Sequence, residues 1–140
     1  MRKILFVCVA NAGRSQMAAA FANLYGEGRV VASSGGTNPA EEVHPVVVEA
    51  MRERGIDISQ NKPRRISTAN LEEADQVIVM GCGAEGFCPA TLLKKVEDWA
   101  LDDPKGQPLE RVREIRDEIE ERVKELIATQ LLDSFDRTSG

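Results

Sequence analysis

One histidine, one tryptophan, one tyrosine and three cysteines stand among 140 residues. Each scarcity excludes something. Three cysteines and a single remote histidine, His44, do not supply four ligands at the spacing of a structural zinc site. Three thiols also make a poor disulfide framework, least of all in a reducing compartment. No apolar run approaches the length needed to span a bilayer. Basic residues are outnumbered, 18 Lys and Arg against 23 Asp and Glu, for a formal net charge of -5. That balance argues against non-specific binding to nucleic acid or to an anionic membrane surface. Arg2-Lys3 followed by Ile4 to Ala10 imitates a signal peptide, but the segment is too short and doubles as a strand of the domain. The expected location is the cytoplasm. There is no internal repeat, linker or low-complexity stretch.

What is present is ordinary for a soluble domain: 42% hydrophobic and 29% charged residues in a chain long enough to bury a core. Strand-like and helix-like segments alternate. Lys3 to Cys8 is an almost continuous apolar run, as a buried parallel strand requires. Ser15 to Tyr25 repeats Met17, Phe21, Leu24 and Tyr25 at helical spacing before a stop at Gly26. A second strand spans Arg29 to Ser33. Pro45 opens a helix that runs through Met51 to Gly55, with His44 as its cap. After a polar stretch and a helical turn around Leu71, Gln76 to Met80 and the weaker Lys95 to Trp99 are two more strands. A long helix, Leu109 to about Leu131, turns Leu109, Val112, Ile115, Ile119, Val123 and Leu126 to one face. Its charged residues form a solvated face with i,i+4 pairs. Residues 1–132 are thus one domain and 133–140 a loose tail.

This order predicts an α/β fold: a single parallel four-stranded sheet, order 2-1-3-4, with helices on both faces. In such sheets ligands bind beyond the carboxyl ends of the strands, where strand order reverses. Cys8, Cys82 and Asp102-Asp103 all follow strands at that edge.

The loop after Cys8 suits an anion. Ala10, Ala12 and Gly13 allow a tight turn whose amides point inward, and the helix behind adds its positive end. Arg14 can grip a tetrahedral oxyanion with two prongs. The same field favours the thiolate of Cys8, to which Ser15 can donate. Asn11 can take a left-handed conformation and hold the loop. The bare spacing Cys-x5-Arg is weak, expected by chance about one time in four for this composition. The strand before it and the Ser and helix after it carry the reading.

Cys8-Val9-Ala10-Asn11-Ala12-Gly13-Arg14-Ser15, with Asp103-Pro104 late in the chain, resembles the low-molecular-weight tyrosine phosphatase family. Arg14-Ser15-Gln16-Met17-Ala18, Gly55-Ile56-Asp57-Ile58-Ser59, Trp99 before Asp102-Asp103-Pro104-Lys105-Gly106, and Arg116-Asp117-Glu118-Ile119 are similar to one branch, the thioredoxin-coupled arsenate reductases. The resemblance runs from about Lys3 to Ile127. It implies a triple-cysteine relay. Cys8 attacks arsenate, bound by residues Val9 to Ser15, and Asp103 protonates the departing oxygen. Cys82 then attacks Cys8 and releases arsenite, Cys88 attacks Cys82, and thioredoxin reduces the last disulfide. The three glycines between Gly81 and Gly86 suit a segment that must carry a disulfide outward. A phosphatase cycle needs no second or third cysteine, and the tyrosine that phosphatases place after Asp-Pro is here Lys105-Gly106.

Some positions depart from the reductase pattern. Ala12-Gly13 replaces a frequent Ser-Cys, and five residues rather than six separate Cys82 from Cys88. The acidic residues that bind potassium in some members have no counterparts, so no metal and no bound cofactor are expected. Asp102 is expected to be structural or solvated, and His44 to have no chemistry. Nothing asks for more than a monomer. Two other classes stay open: a phosphatase, and a non-catalytic oxyanion-binding or redox-sensing module.

Overall fold

The computed structural model describes residues 2–80 and 96–139. Four strands, β1 (Arg2–Cys8), β2 (Val30–Gly36), β3 (Gln76–Val79) and β4 (Val96–Asp98), form one sheet in the order β2-β1-β3-β4. Every pairing is parallel. The helices are α1 (Arg14–Gly26), α2 (Pro45–Arg52), α3 (Thr68–Glu73) and α4 (Leu109–Ser139). The α/β class and strand order are those expected.

Alternation along the strands divides the core between two faces. Ile4, Phe6 and Cys8 on β1, with Ile78 on β3, pack in the larger cluster with α1, α2 and α4. Leu5, Val7, Val77 and Val79 point the other way, onto Ala74, Ile66 and Leu71 around α3. Burial on both faces is why the strands are apolar at nearly every position. In α4, Val112, Ile115, Ile119 and Val123 are at most 1% exposed, so its apolar stripe faces the core as expected.

Three details depart from the sequence reading. Leu24 is 51% exposed. The buried side of α1 is instead Met17, Ala18, Phe21 and Ala22, whose alanines let the helix lie close on the sheet. β2 continues past Ser33 to Gly36, because Gly35 and Gly36 pair with Val7 and Cys8 without crowding the next loop. The last helix runs to Ser139 rather than ending near Leu131; no glycine or proline interrupts it before Gly140.

The charged face of α4 is also more than a solvated stripe. Arg113 and Arg116 both reach Glu53, just past the end of α2, and hold its carboxyl down at about 2. Arg54 bridges Asp117 and the buried Glu120, which accepts the hydroxyl of Tyr25 at 2.5 Å. That hydrogen bond, followed by burial, raises the Tyr25 hydroxyl above its ordinary value. The network ties α1, the end of α2 and α4 together at a distance from the sheet's carboxyl edge.

The outer side of β2 is occupied as well. The Asn23 side chain donates to the carbonyl of Ala32 at 3.0 Å and accepts its N–H at 2.9 Å. Arg64 Nε donates to the carbonyl of Ser34 at 3.0 Å. Gly36 donates to Arg64 O and accepts from the N–H of Ile66. Among the described residues no helix is long and apolar enough to cross a membrane.

Candidate active site

β1 ends at Cys8 and α1 begins at Arg14, so five residues make the turn at the carboxyl edge of the sheet. Which way their amides face is decided by where their carbonyls go. The carbonyls of Cys8, Val9, Ala10 and Ala12 accept the N–H groups of Thr37, Asn38, Ala40 and His44. Gln16 Nε2 donates to the carbonyl of Asn11 at 3.0 Å, and Met17 N–H to that of Gly13, also at 3.0 Å. With all six carbonyls drawn outward, the opposite side of the loop presents N–H groups. No backbone acceptor among the described residues takes the amides of Val9 to Gly13. Concavities of this kind, at the start of a helix, bind oxyanions.

Two backbone positions make the turn possible. Asn11 has φ of 51°, the left-handed conformation that asparagine adopts more readily than most residues. Gly36 leaves room beside it: a β-carbon there would stand 2.5 Å from the carbonyl oxygen of Val9 and 3.1 Å from the Asn11 nitrogen. Gly36→Ala is therefore expected to push the loop off β2. Stability should fall by about 1–3 kcal/mol, and phosphate affinity should fall with it. Thermal unfolding and a phosphate titration check both.

Behind the loop lies a polar network, buried at its centre. Cys8 Sγ is 2.9 Å from Ser15 Oγ, which also accepts Asn11 Nδ2 at 2.8 Å. Because the asparagine amide fills an acceptor position, the serine hydrogen is free to point at sulfur and stabilise negative charge there. Asn11 Oδ1 accepts the N–H of Arg64 at 3.0 Å and Gln16 Nε2 at 3.2 Å, and Asn61 Nδ2 donates to Gln16 Oε1 at 3.1 Å. Asn11 and Ser15 are fully buried.

Arg14 is buried at the rim, where Nη1 donates to the carbonyl of Leu101 at 3.0 Å. Its Nη2 lies 3.8 Å from Asp103 Oδ2. Asp103 is more than half exposed, its Oδ1 accepting the N–H of Lys105 at 3.0 Å. Asp102 turns away to an ion pair with Arg111. His44 occupies the cap position of α2, but its side chain makes no capping hydrogen bond. Burial lowers its imidazole below the ordinary value, opposed by the charge of Asp103. Cys82 and Cys88 lie outside the described residues.

The fold therefore brings Cys8, the loop Val9 to Ser15, Arg14 and Asp103 to one place. Sequence reasoning missed the segment 37–44 that turns the loop carbonyls outward, and missed Gln16, Asn61 and Arg64. Gln16 alone carried a signal, a polar side chain beside the buried stripe of α1. Chemically, the site can hold a tetrahedral anion over a buried sulfur with a carboxyl group at the rim. Among the described residues no three His, Cys, Asp or Glu side chains gather where they could hold a metal ion.

The model of the low-molecular-weight phosphotyrosine protein phosphatases matches residues 3–135. The chain belongs to that family. A putative arsenate reductase of Halobacterium salinarum is 52% identical over 129 residues, 89% of each chain. The glutaredoxin arsenate reductase of Synechocystis is 42% identical over 130 residues, 91% of this chain and 98% of that one. Among solved structures, the thioredoxin-dependent arsenate reductase of Corynebacterium glutamicum superposes with a TM-score of 0.81 at 38% identity, over 95% of this chain and 63% of that one. The fold is shared with phosphatases: an arginine phosphatase of Geobacillus stearothermophilus superposes with a TM-score of 0.86 at 26% identity, over 97% of each chain.

Proposed function

We propose that the protein is a cytosolic, monomeric arsenate reductase working by a three-cysteine relay with thioredoxin as its external reductant. The observation that carries this is the Cys8 sulfur at the foot of a loop whose amides, Val9 to Gly13, no backbone acceptor among the described residues takes, in a chain with two further cysteines that hydrolysis would not use. Relatives named for arsenate reduction support it. Among the described residues the aromatic side chains also suit a small inorganic substrate: Phe6, Phe21 and Trp99 are buried, Tyr25 bonds Glu120, and Lys105-Gly106 follow Asp103-Pro104.

The Cys8 thiolate attacks arsenic(V), forming an arsenic–sulfur bond as an oxygen leaves with a proton from Asp103. The loop amides and Arg14 hold the charge that builds on the remaining oxygens. The Cys82 thiolate then attacks Cys8 sulfur. The electron pair of the arsenic–sulfur bond goes to arsenic, which departs as arsenite, and a Cys8–Cys82 disulfide remains. Thiolate exchange by Cys88 moves it to Cys82–Cys88 and returns Cys8 to its thiolate. A dithiol reductant takes the final disulfide.

The test is a single turnover of fully reduced protein with arsenate and no reductant. Two thiols should disappear, one arsenite should appear, and a Cys82–Cys88 bridge should be mapped by mass spectrometry. Three intact thiols would overturn the reading in favour of hydrolysis, and a bridge that stays at Cys8–Cys82 would remove Cys88 from the relay. Because the Synechocystis relative is named for glutaredoxin, the oxidised protein is then offered thioredoxin and glutaredoxin in turn. Faster reduction by thioredoxin is the expected result.

A further inference from the structure

Four consecutive residues at the rim alternate in an unusual way: Leu101 and Pro104 are buried, and Asp102 and Asp103 between them are exposed. Both buried ends are fastened to the end of the oxyanion loop. The Leu101 carbonyl takes Nη1 of Arg14, and its N–H donates to the carbonyl of Trp99 at 2.8 Å. Pro104 rests on Gly13. A β-carbon on residue 13 would stand 2.7 Å from Cγ and 3.5 Å from Cδ of Pro104, with Val47 at 3.6 Å closing the other side. The carbonyl of Pro104 accepts the N–H of Gln107 at 3.1 Å, which closes the turn beyond it. Asp103 thus hangs on a two-residue span pinned at each end to adjacent residues, Gly13 and Arg14.

The two oxygens of Asp103 are not equivalent. Oδ1 is occupied by the backbone N–H of Lys105, whereas Oδ2 faces Arg14. With Oδ1 engaged as an acceptor, Oδ2 is the oxygen left available to donate to a bound anion.

We propose that Pro104, seated on Gly13, is a positioning residue that sets where Oδ2 of Asp103 stands over the oxyanion loop. It thereby sets how fast the oxygen leaving arsenic is protonated. This rests on the reading of Asp103 as the general acid. The ring fixes φ of Pro104 and limits the conformations of the residue before it, so a displacement of the ring passes directly to Asp103. In this chain a β-carbon on residue 13 would then have to displace the ring, 2.7 Å away. Proton delivery is sensitive to placement, and an error of about 1 Å can cost about 100-fold.

A double-mutant cycle on single-turnover thiol loss with arsenate tests this, using wild type, Asp103→Asn, Pro104→Ala and the double variant. Asp103→Asn should slow the step by about 10²–10⁴-fold. Pro104→Ala should slow it by about tenfold, with the inhibition constant for phosphate unchanged, because misplacing an acid leaves anion binding intact. The double variant should be no slower than Asp103→Asn alone, since a residue that acts only through the acid adds nothing once the acid is gone. Losses that multiply would overturn the proposal. Gly13→Ala gives a second reading: it should slow the same step, and adding Pro104→Ala should restore part of the rate by removing the ring. A Gly13→Ala protein equally slow with and without the ring would also overturn it. A wild type that leaves arsenate untouched would overturn the arsenate reading itself, before any variant is compared.

Discussion

Replacing Cys8 by serine is expected to abolish arsenate reduction while leaving phosphate bound. A serine in place of this sulfur fails twice. Its hydroxyl is a far weaker nucleophile at neutral pH, and loss of a nucleophile alone costs about 10⁶-fold in rate. It also cannot become one half of a disulfide, so even a slow ester to arsenic would have no route for the electron pair that converts arsenic(V) to arsenic(III). The anion site should survive, because it is built of backbone. The loop amides are turned inward by the bonds from Thr37, Asn38, Ala40 and His44 to the loop carbonyls, and none of those bonds involves the sulfur. Arsenite release measured over hours, beside a phosphate titration, checks both halves. Residual turnover within 100-fold of wild type would mean that another thiol starts the reaction.

Arg14→Lys should be the next most damaging change, lowering kcat/KM for arsenate by about 10²–10³-fold, the scale of losing a donor that stabilises developing charge. Lysine keeps the positive charge and loses the planar fork. In this site the fork has two separate tasks. One nitrogen holds the carbonyl of Leu101 and the other faces Asp103 and the space over the loop. A single ammonium cannot do both, so KM should rise and kcat should fall together. The fold should be little affected, because the core of α1 rests on Met17, Ala18, Phe21 and Ala22. Steady-state kinetics with a thermal melt separates the two: a variant that lost activity only by unfolding would show the loss in the melt.

How far these features could be read from the chain depends on whether they leave a mark on residue types. The sheet did, because strands buried on both faces must be apolar throughout, and because Gly26 and Pro45 punctuate the elements between them. Cys8, Arg14 and Ser15 did as well, being contiguous in sequence and in space. The brace of residues 37–44 left none, since it acts through backbone N–H groups that every residue but proline possesses. Asn61 and Arg64 were invisible for another reason. They meet Gln16 and Asn11 only after the chain has returned from α2, and a polar stretch looks alike whether it supports a site or merely faces water. The same blindness hid the bonds of Arg113, Arg116 and Arg54 to Glu53 and Asp117. A helix pattern shows which neighbours a side chain has on its own helix and nothing of the helix beside it.

β2 is the terminal strand on one side of the sheet, and a terminal strand ordinarily offers a row of vacant ladder positions to any extended chain that meets it. Here Asn23 occupies Ala32, Arg64 occupies Ser34, and the stub at Arg64–Ile66 occupies Gly36. This valine-containing edge is therefore a poor template for edge-to-edge pairing. An unfolded or extended copy of the chain finds few vacant positions along it.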